Sequence, residues 1–237
     1  MNDEEIPQEE NPAPTQFSLP NCGEIRLENN EITGWFYPIS IYQWREIVGF
    51  HKTMSIIHKA ETVSYHRWNQ QKQKYDTVIP YQDTVKSGLS VDVDWEDYRN
   101  VELLDQYSKE NGVELFPACT IHTHVASGAF ESGTDAGDEE DYPGWHLTLG
   151  HLTKNKTKID THSRFRLPKI ERVTKHTSVQ DAYEFDLEKL FPEGLDMNQV
   201  INCPWNNKNL HKFKDRVSLT QKRSHRTYFS QGYYNGI

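Results

Sequence analysis

The residues best placed to do chemistry stand in one short stretch. His122-Thr123-His124 is followed after seven residues by Ser132 and after two more by Asp135, giving H-x-H-x7-S-x2-D. The stretch follows Leu115 to Ile121, an apolar run with strand character. Alternate side chains of a strand share a face, so His122 and His124 would present two imidazoles to one side, close enough to share a metal. Asp135 can return from the following loop with a carboxylate. Two imidazoles and one carboxylate suit a catalytic zinc whose fourth position is open to water. That is a hydrolase site in outline. A chain with eleven histidines offers an H-x-H by chance. The Ser and Asp at fixed offsets, the apolar strand before and the Gly-rich acidic loop after make this one specific.

Other elements must hold that strand in place. Glu24 to Leu27 and Ile32 to Tyr37 read as two strands joined by a turn at Asn29-Asn30. Ser40-x-x-Gln43 resembles a capping box. It opens a helix with Trp44, Ile47, Val48, Met54 and Ile57 near helical spacing, ending near His58. His51 and His58 ride on it as ordinary surface or core-edge histidines. Glu61 to Trp68, Asp76 to Tyr81 and Ser90 to Asp94 read as strands. Asp94 is placed to cap a helix through Val101 and Leu104 that Asn111-Gly112 stops. Two more strands, Trp145 to Leu152 and Lys158 to Leu167, follow the acidic loop. The order predicts an α/β fold, a mixed sheet with helices packed on it. Of the five acidic residues from Asp135 to Asp141, only Asp135 has ligand spacing; the others read as a solvated loop. His146, on a strand, reads as packing or as a hydrogen-bond partner behind the ligands.

H-x-H-x7-S-x2-D is the signature of the JAMM (JAB/MPN+) metallopeptidases, and the chain resembles that family. His122 through Asp135, and the continuation Asp138 through Gly150, look most like its prokaryotic and phage branch. The likeness covers about residues 115–153, with a looser match of element order back to about residue 40 and none over 170–237. It implies a mixed curved sheet flanked by helices, with zinc held by His122, His124 and Asp135. It implies hydrolysis of a peptide or isopeptide bond in a protein substrate, a ubiquitin-like protein being one candidate. The family takes its proton-transfer base from a Glu well upstream, near the start of the strand after the first helix. Glu61 occupies that position, and Glu46, inside the helix, is the weaker alternative. Zinc lowers the pKa of water toward about 7, so a carboxylate suffices as base. Ser132 would donate a hydrogen bond to the oxyanion rather than act as nucleophile. Two departures stand out: Glu61-Thr62-Val63-Ser64-Tyr65 lacks the usual Gly-Leu-rich strand after the base, and Val125 stands where many eukaryotic members carry Pro.

Composition bounds the alternatives. The chain has 237 residues and 35% hydrophobic content, enough for one domain with polar extensions. The expected division is an acidic disordered tail over 1–18, a JAMM-like domain over 19–170, and a C-terminal extension over 171–237 that ends in a basic, aromatic tail. A net charge of −9 gives no general reason to expect nucleic acid, and no apolar run reaches membrane-spanning length. The acidic start lacks the pattern of a signal peptide. Cys22, Cys119 and Cys203 are widely spaced, which fits reduced thiols in a cytoplasm; Cys119 reads as a small buried apolar residue. An amidohydrolase-type barrel also uses H-x-H, but such barrels run to about 250 residues with the pair near the start, and here it falls mid-chain. A non-enzymatic alternative is a catalytically silent JAMM-fold scaffold in a larger assembly, its basic tail docking a partner.

Overall fold

The computed structural model describes residues 15–19, 22–28, 31–85, 90–113, 119–139, 142–152, 158–167, 182–202 and 213–220. It opens with an antiparallel meander of β1 (Thr15–Leu19), β2 (Gly23–Glu28) and β3 (Glu31–Phe36). Helix α1 (Ile41–His58) follows, then β4 (Val63–Asn69), β5 (Lys74–Val78), β6 (Gln82–Val85) and β7 (Val91–Asp92). Next come α2 (Tyr98–Asn111), β8 (Cys119–His124), α3 (Gly133–Glu139), β9 (Gly144–Gly150) and β10 (Asp160–Arg166). The last elements are β11 (Ala182–Glu184), α4 (Met197–Ile201) and β12 (Val217–Thr220). The main sheet has the order β11-β10-β9-β8-β4-β5, antiparallel except between β8 and β9. A smaller sheet has the order β12-β6-β7. The expected α/β fold, mixed sheets flanked by helices, is the fold observed.

The two faces of the main sheet differ in chemistry, and register shows why. His122 pairs with Val63 on β4 and Thr148 on β9, and Thr148 pairs with His162 on β10. Paired residues share a face, so Val63, His122, His124, His146, Thr148, Arg164 and Arg166 all lie on one side. The other side presents Ile121, Trp145, Leu147, Leu149 and Phe165, all fully buried. Trp44, Ile47 and Val48 of α1 and Phe36 of β3 join them in one core. The apolar core lies on one face of the sheet, and His122, His124 and the buried arginines collect on the other.

Helix signals worked locally, with exceptions. Ser40 Oγ accepts from Gln43 N at 3.2 Å, one half of the expected box. The Gln43 side chain instead bonds the Tyr75 carbonyl on β5. Ile57 is exposed, and Phe50, His51 and Ser55 take the buried positions on that helix. Asp97, not Asp94, caps α2, accepting from Arg99 N at 2.9 Å. Asp94 accepts from Glu96 N in the turn before it. Gly112 ends α2 at φ 66°, a left-handed cap that glycine adopts without strain.

Three boundaries move. Residues 15–18, assigned to the disordered tail, pair with β2, with Phe17 opposite Ile25; residues 1–14 lie outside the described residues. The core does not stop at residue 170. β11 adds to the main sheet, and Tyr183, Phe185, Leu190, Phe191 and Val200 are buried in the main core. Part of the basic C-terminal segment is also structural. β12 runs parallel to β6, and Val217 packs with Phe50, Met54 and Ile79. These contacts join residues far apart in the chain, so local pattern could not reveal them. Residues 221–237 lie outside the described residues. Among the described residues no helix is long and apolar enough to cross a membrane.

Candidate metal centre

His122 and His124 leave the end of β8 on the same face, both about nine-tenths or more buried. Asp135 sits in the first turn of α3. Its Oδ1 lies 3.3 Å from His122 Nε2 and its Oδ2 lies 3.4 Å from His124 Nε2. One donor atom from each of the three falls within 4.8 Å of the others. Bonds of about 2.0–2.1 Å to a tetrahedral zinc place neighbouring ligand atoms about 3.3 Å apart; each nitrogen–oxygen separation is near that value, with each histidine meeting a different oxygen of the carboxylate. The second nitrogen of His124 is also engaged. Nδ1 lies 3.3 Å from the Gly128 carbonyl, which can only accept, so Nδ1 is the donor in that contact.

Asp135 is itself placed by Ser132. Ser132 N donates to Asp135 Oδ2 at 2.7 Å, and Asp135 N donates to Ser132 Oγ at 3.2 Å. This reciprocal pair closes the start of α3 as a helix cap does. Ser132 therefore positions the carboxylate, a task its expected oxyanion role did not include. Its hydroxyl accepts in that bond and keeps a proton to donate.

Glu61 also reaches the site. β4 and β8 pair antiparallel from Val63 opposite His122. Extending that register by two residues beyond the strand brings Glu61 level with His124, and alternation turns it to the face of the histidines. Burial pushes its carboxyl up to about 7; the charge of His124 works against this and that of Asp135 adds to it. Burial would also raise Asp135, yet hydrogen bonds from His122 and His124 outweigh it and hold that carboxyl well below the usual range. Burial disfavours the charged form of His124, but the Asp135 hydrogen bond and the charges of Asp135 and Glu61 raise its pKa on balance. Glu46 is exposed on α1, which packs on the opposite face of the sheet, so it is displaced as the alternative base.

The acidic loop holds a surprise. Glu139 is not solvated: it is 4% exposed. Asp135 and Glu139 are four residues apart on α3, so both face the sheet. Glu139 accepts from Arg164 Nε at 2.7 Å and from Arg166 Nε at 3.4 Å. Arg164 also donates to Thr148 Oγ1 at 2.9 Å, and Thr148 Oγ1 lies 3.2 Å from His122 Nε2. The sequence carried a signal for this. Arg164 and Arg166 alternate on one face of a strand that was itself foreseen. His146 is buried as expected, bonding Thr120 Oγ1 and the Tyr142 carbonyl at 2.8 Å each.

A second polar layer lies on the reverse face. His51, expected at the core edge, is fully buried. Its Nδ1 meets Thr62 Oγ1 at 2.9 Å and its Nε2 meets Ser64 Oγ at 2.8 Å. Ser64 Oγ continues to His66 Nε2 at 2.9 Å, and His66 Nδ1 to Thr77 Oγ1 at 3.1 Å. Thr62 N donates to Thr123 Oγ1 at 3.0 Å. Burial pushes the His66 pKa down to about 3 and holds that of His51 well below the usual imidazole range, so both imidazoles stay neutral and each can donate once and accept once. The chain ties the backbone beside Glu61 to the residue between the two histidines.

Gly150 admits the loop over the site. A Cβ there would come within 2.6 Å of Gly128 C and closer still to Ala129 N. Gly150→Ala must therefore push residues 127–129 away, and Gly128 carries the carbonyl that orients His124. The expected result is a loss of about 1–3 kcal/mol, the usual cost of overpacking. Thermal melts of the variant check it, and an unchanged melting temperature would contradict the close approach.

No family model matches this chain, and no curated protein matches it.

Proposed function

We propose that this chain is a JAMM-type zinc hydrolase that cleaves a peptide or isopeptide bond. The observation that carries the reading is the convergence of His122 Nε2, His124 Nε2 and Asp135, with Glu61 turned to the same face from the neighbouring strand. The three donors are a nitrogen, nitrogen and oxygen set of the kind catalytic zinc takes. A bound zinc ion would supply water activation and carbonyl polarisation.

The chain's own residues do the rest. Asp135, ionised throughout the neutral range, holds negative charge between the two imidazoles. Glu61 takes a proton from water as the water oxygen bonds to the carbonyl carbon. Ser132 Oγ–H donates to the oxygen that becomes negative. Glu61 then delivers the proton to the leaving nitrogen as the carbon–nitrogen bond breaks, leaving a carboxylic acid and an amine, and the acid then gives its proton to solvent. A carboxyl raised by burial is a suitable carrier, because it both gains and loses a proton near neutrality.

The test is cleavage of a panel of ubiquitin-like proteins, fused linearly to a reporter or joined through a lysine, with zinc and with chelator. Cleavage that chelator stops and zinc restores is expected for at least one bond type. Stoichiometric zinc without turnover of any member would favour the silent scaffold.

A further inference from the structure

Glu131, Asp135 and Glu139 are spaced four residues apart. The middle one meets both His122 and His124, and Glu139 comes 3.8 Å from His122 Nδ1. The short polar contacts of the outer two go to guanidinium groups. Glu139 binds Arg164 through both carboxylate oxygens and reaches Arg166 as well. Glu131 binds Arg166 Nη2 and lies 3.6 Å from Arg164 Nε. Both arginines are almost fully buried on β10. The segment that carries Asp135 is thus fastened before and after it to one central strand of the sheet. The two arginines and two glutamates balance in charge, which is what allows them to be buried together.

Helix α3 has only seven residues. A helix that short has no stability of its own in water. What holds it in place is Ser132 at its start and the two ion-paired carboxylates. Arg164 reaches the other side of the centre too, through Thr148 to His122. The same guanidinium therefore fixes elements on both sides of the Asp135–His122 contact.

We propose that Glu131 and Glu139 are positioning residues, and that their ion pairs with Arg164 and Arg166 set how tightly the centre holds zinc. The proposal rests on the reading of His122, His124 and Asp135 as metal ligands. Neither glutamate is a ligand: they fix the backbone on both sides of Asp135, and Glu139 also lies 3.8 Å from the Nδ1 of His122.

Zinc affinity of the full chain, measured by competition with a chromophoric chelator, tests this without reference to turnover. Glu139→Gln is expected to bind zinc about 10–100-fold more weakly, the usual effect of losing a group that orients ligands. Glu131→Gln is expected to weaken binding by less, because it is the more exposed partner and has fewer contacts. Leu190→Ala, which loosens the core away from α3, serves as the control. It should bind zinc as the unaltered chain does at a temperature where both are folded. Equal affinity for Glu139→Gln and the unaltered chain would overturn the proposal. So would an equal loss in Leu190→Ala, since that would mark general destabilisation. If Glu139→Gln does not fold, Glu131→Gln decides, and unchanged affinity there overturns the clamp. An unaltered chain that takes up no zinc would remove the metal reading and this proposal with it. Zinc bound equally by all variants would remove the clamp alone.

Discussion

Glu61→Gln is expected to retain zinc and fold while losing about 10²–10⁴-fold in turnover, the range that a positioned proton carrier contributes. The substitution keeps the shape of the side chain and deletes the proton acceptor. Glu61 sits on the face of His122 and His124 just before β4, where burial lifts its carboxyl to about 7. The sign of the pH dependence follows. A base must be ionised to accept, so activity should fall as pH drops through the carboxyl's pKa. A dication beside it favours the ionised form and moves that limb below 7. Glu61→Gln should abolish the limb along with the rate. Normal turnover in this variant, with a collapse in Glu46→Gln, would mean that the carrier is elsewhere.

Ending the chain at residue 170 is expected to prevent folding altogether. That cut removes Tyr183, Phe185, Leu190, Phe191 and Val200, all buried in the main core. It strips β11 from the edge of β10 and leaves Trp44 Nε1 without its acceptor, the Val200 carbonyl at 3.0 Å. A large apolar side chain contributes about 1.5–3 kcal/mol on burial, and five of them match the whole net stability of a domain, about 5–15 kcal/mol. Circular dichroism and a urea titration of residues 1–170 should show no cooperative transition. A cooperative melt would mean that the C-terminal segment decorates a core able to fold without it.

The difference between what the sequence shows and what it hides follows from sequence distance. His122 and His124 were legible because the period of a strand alone sets their common face. Asp135 was legible from a fixed spacing, although the helix that carries it was not: its residues, Gly133-Thr134-Asp135-Ala136-Gly137-Asp138-Glu139, have little helical character. Glu139 read as solvated because its neighbours in sequence are acidic and polar. What buries it is Arg164 and Arg166, 25 and 27 residues away. His51 read as a surface or core-edge histidine because helical periodicity says which face a residue takes, not that the facing strand offers Thr62 and Ser64. β1, β11 and β12 were missed for a related reason. Each is a strand of three to five residues whose only support is a partner elsewhere in the chain.

Zinc stoichiometry and affinity of the purified full chain, beside His122→Ala/His124→Ala and Asp135→Ala, test the central claim most directly. The expected result is one tightly held zinc per unaltered chain, none in the double histidine variant and weak, exchangeable zinc in Asp135→Ala, because a three-ligand site tolerates the loss of a donor poorly. One zinc per chain retained in the double histidine variant would contradict a metal centre at the end of β8.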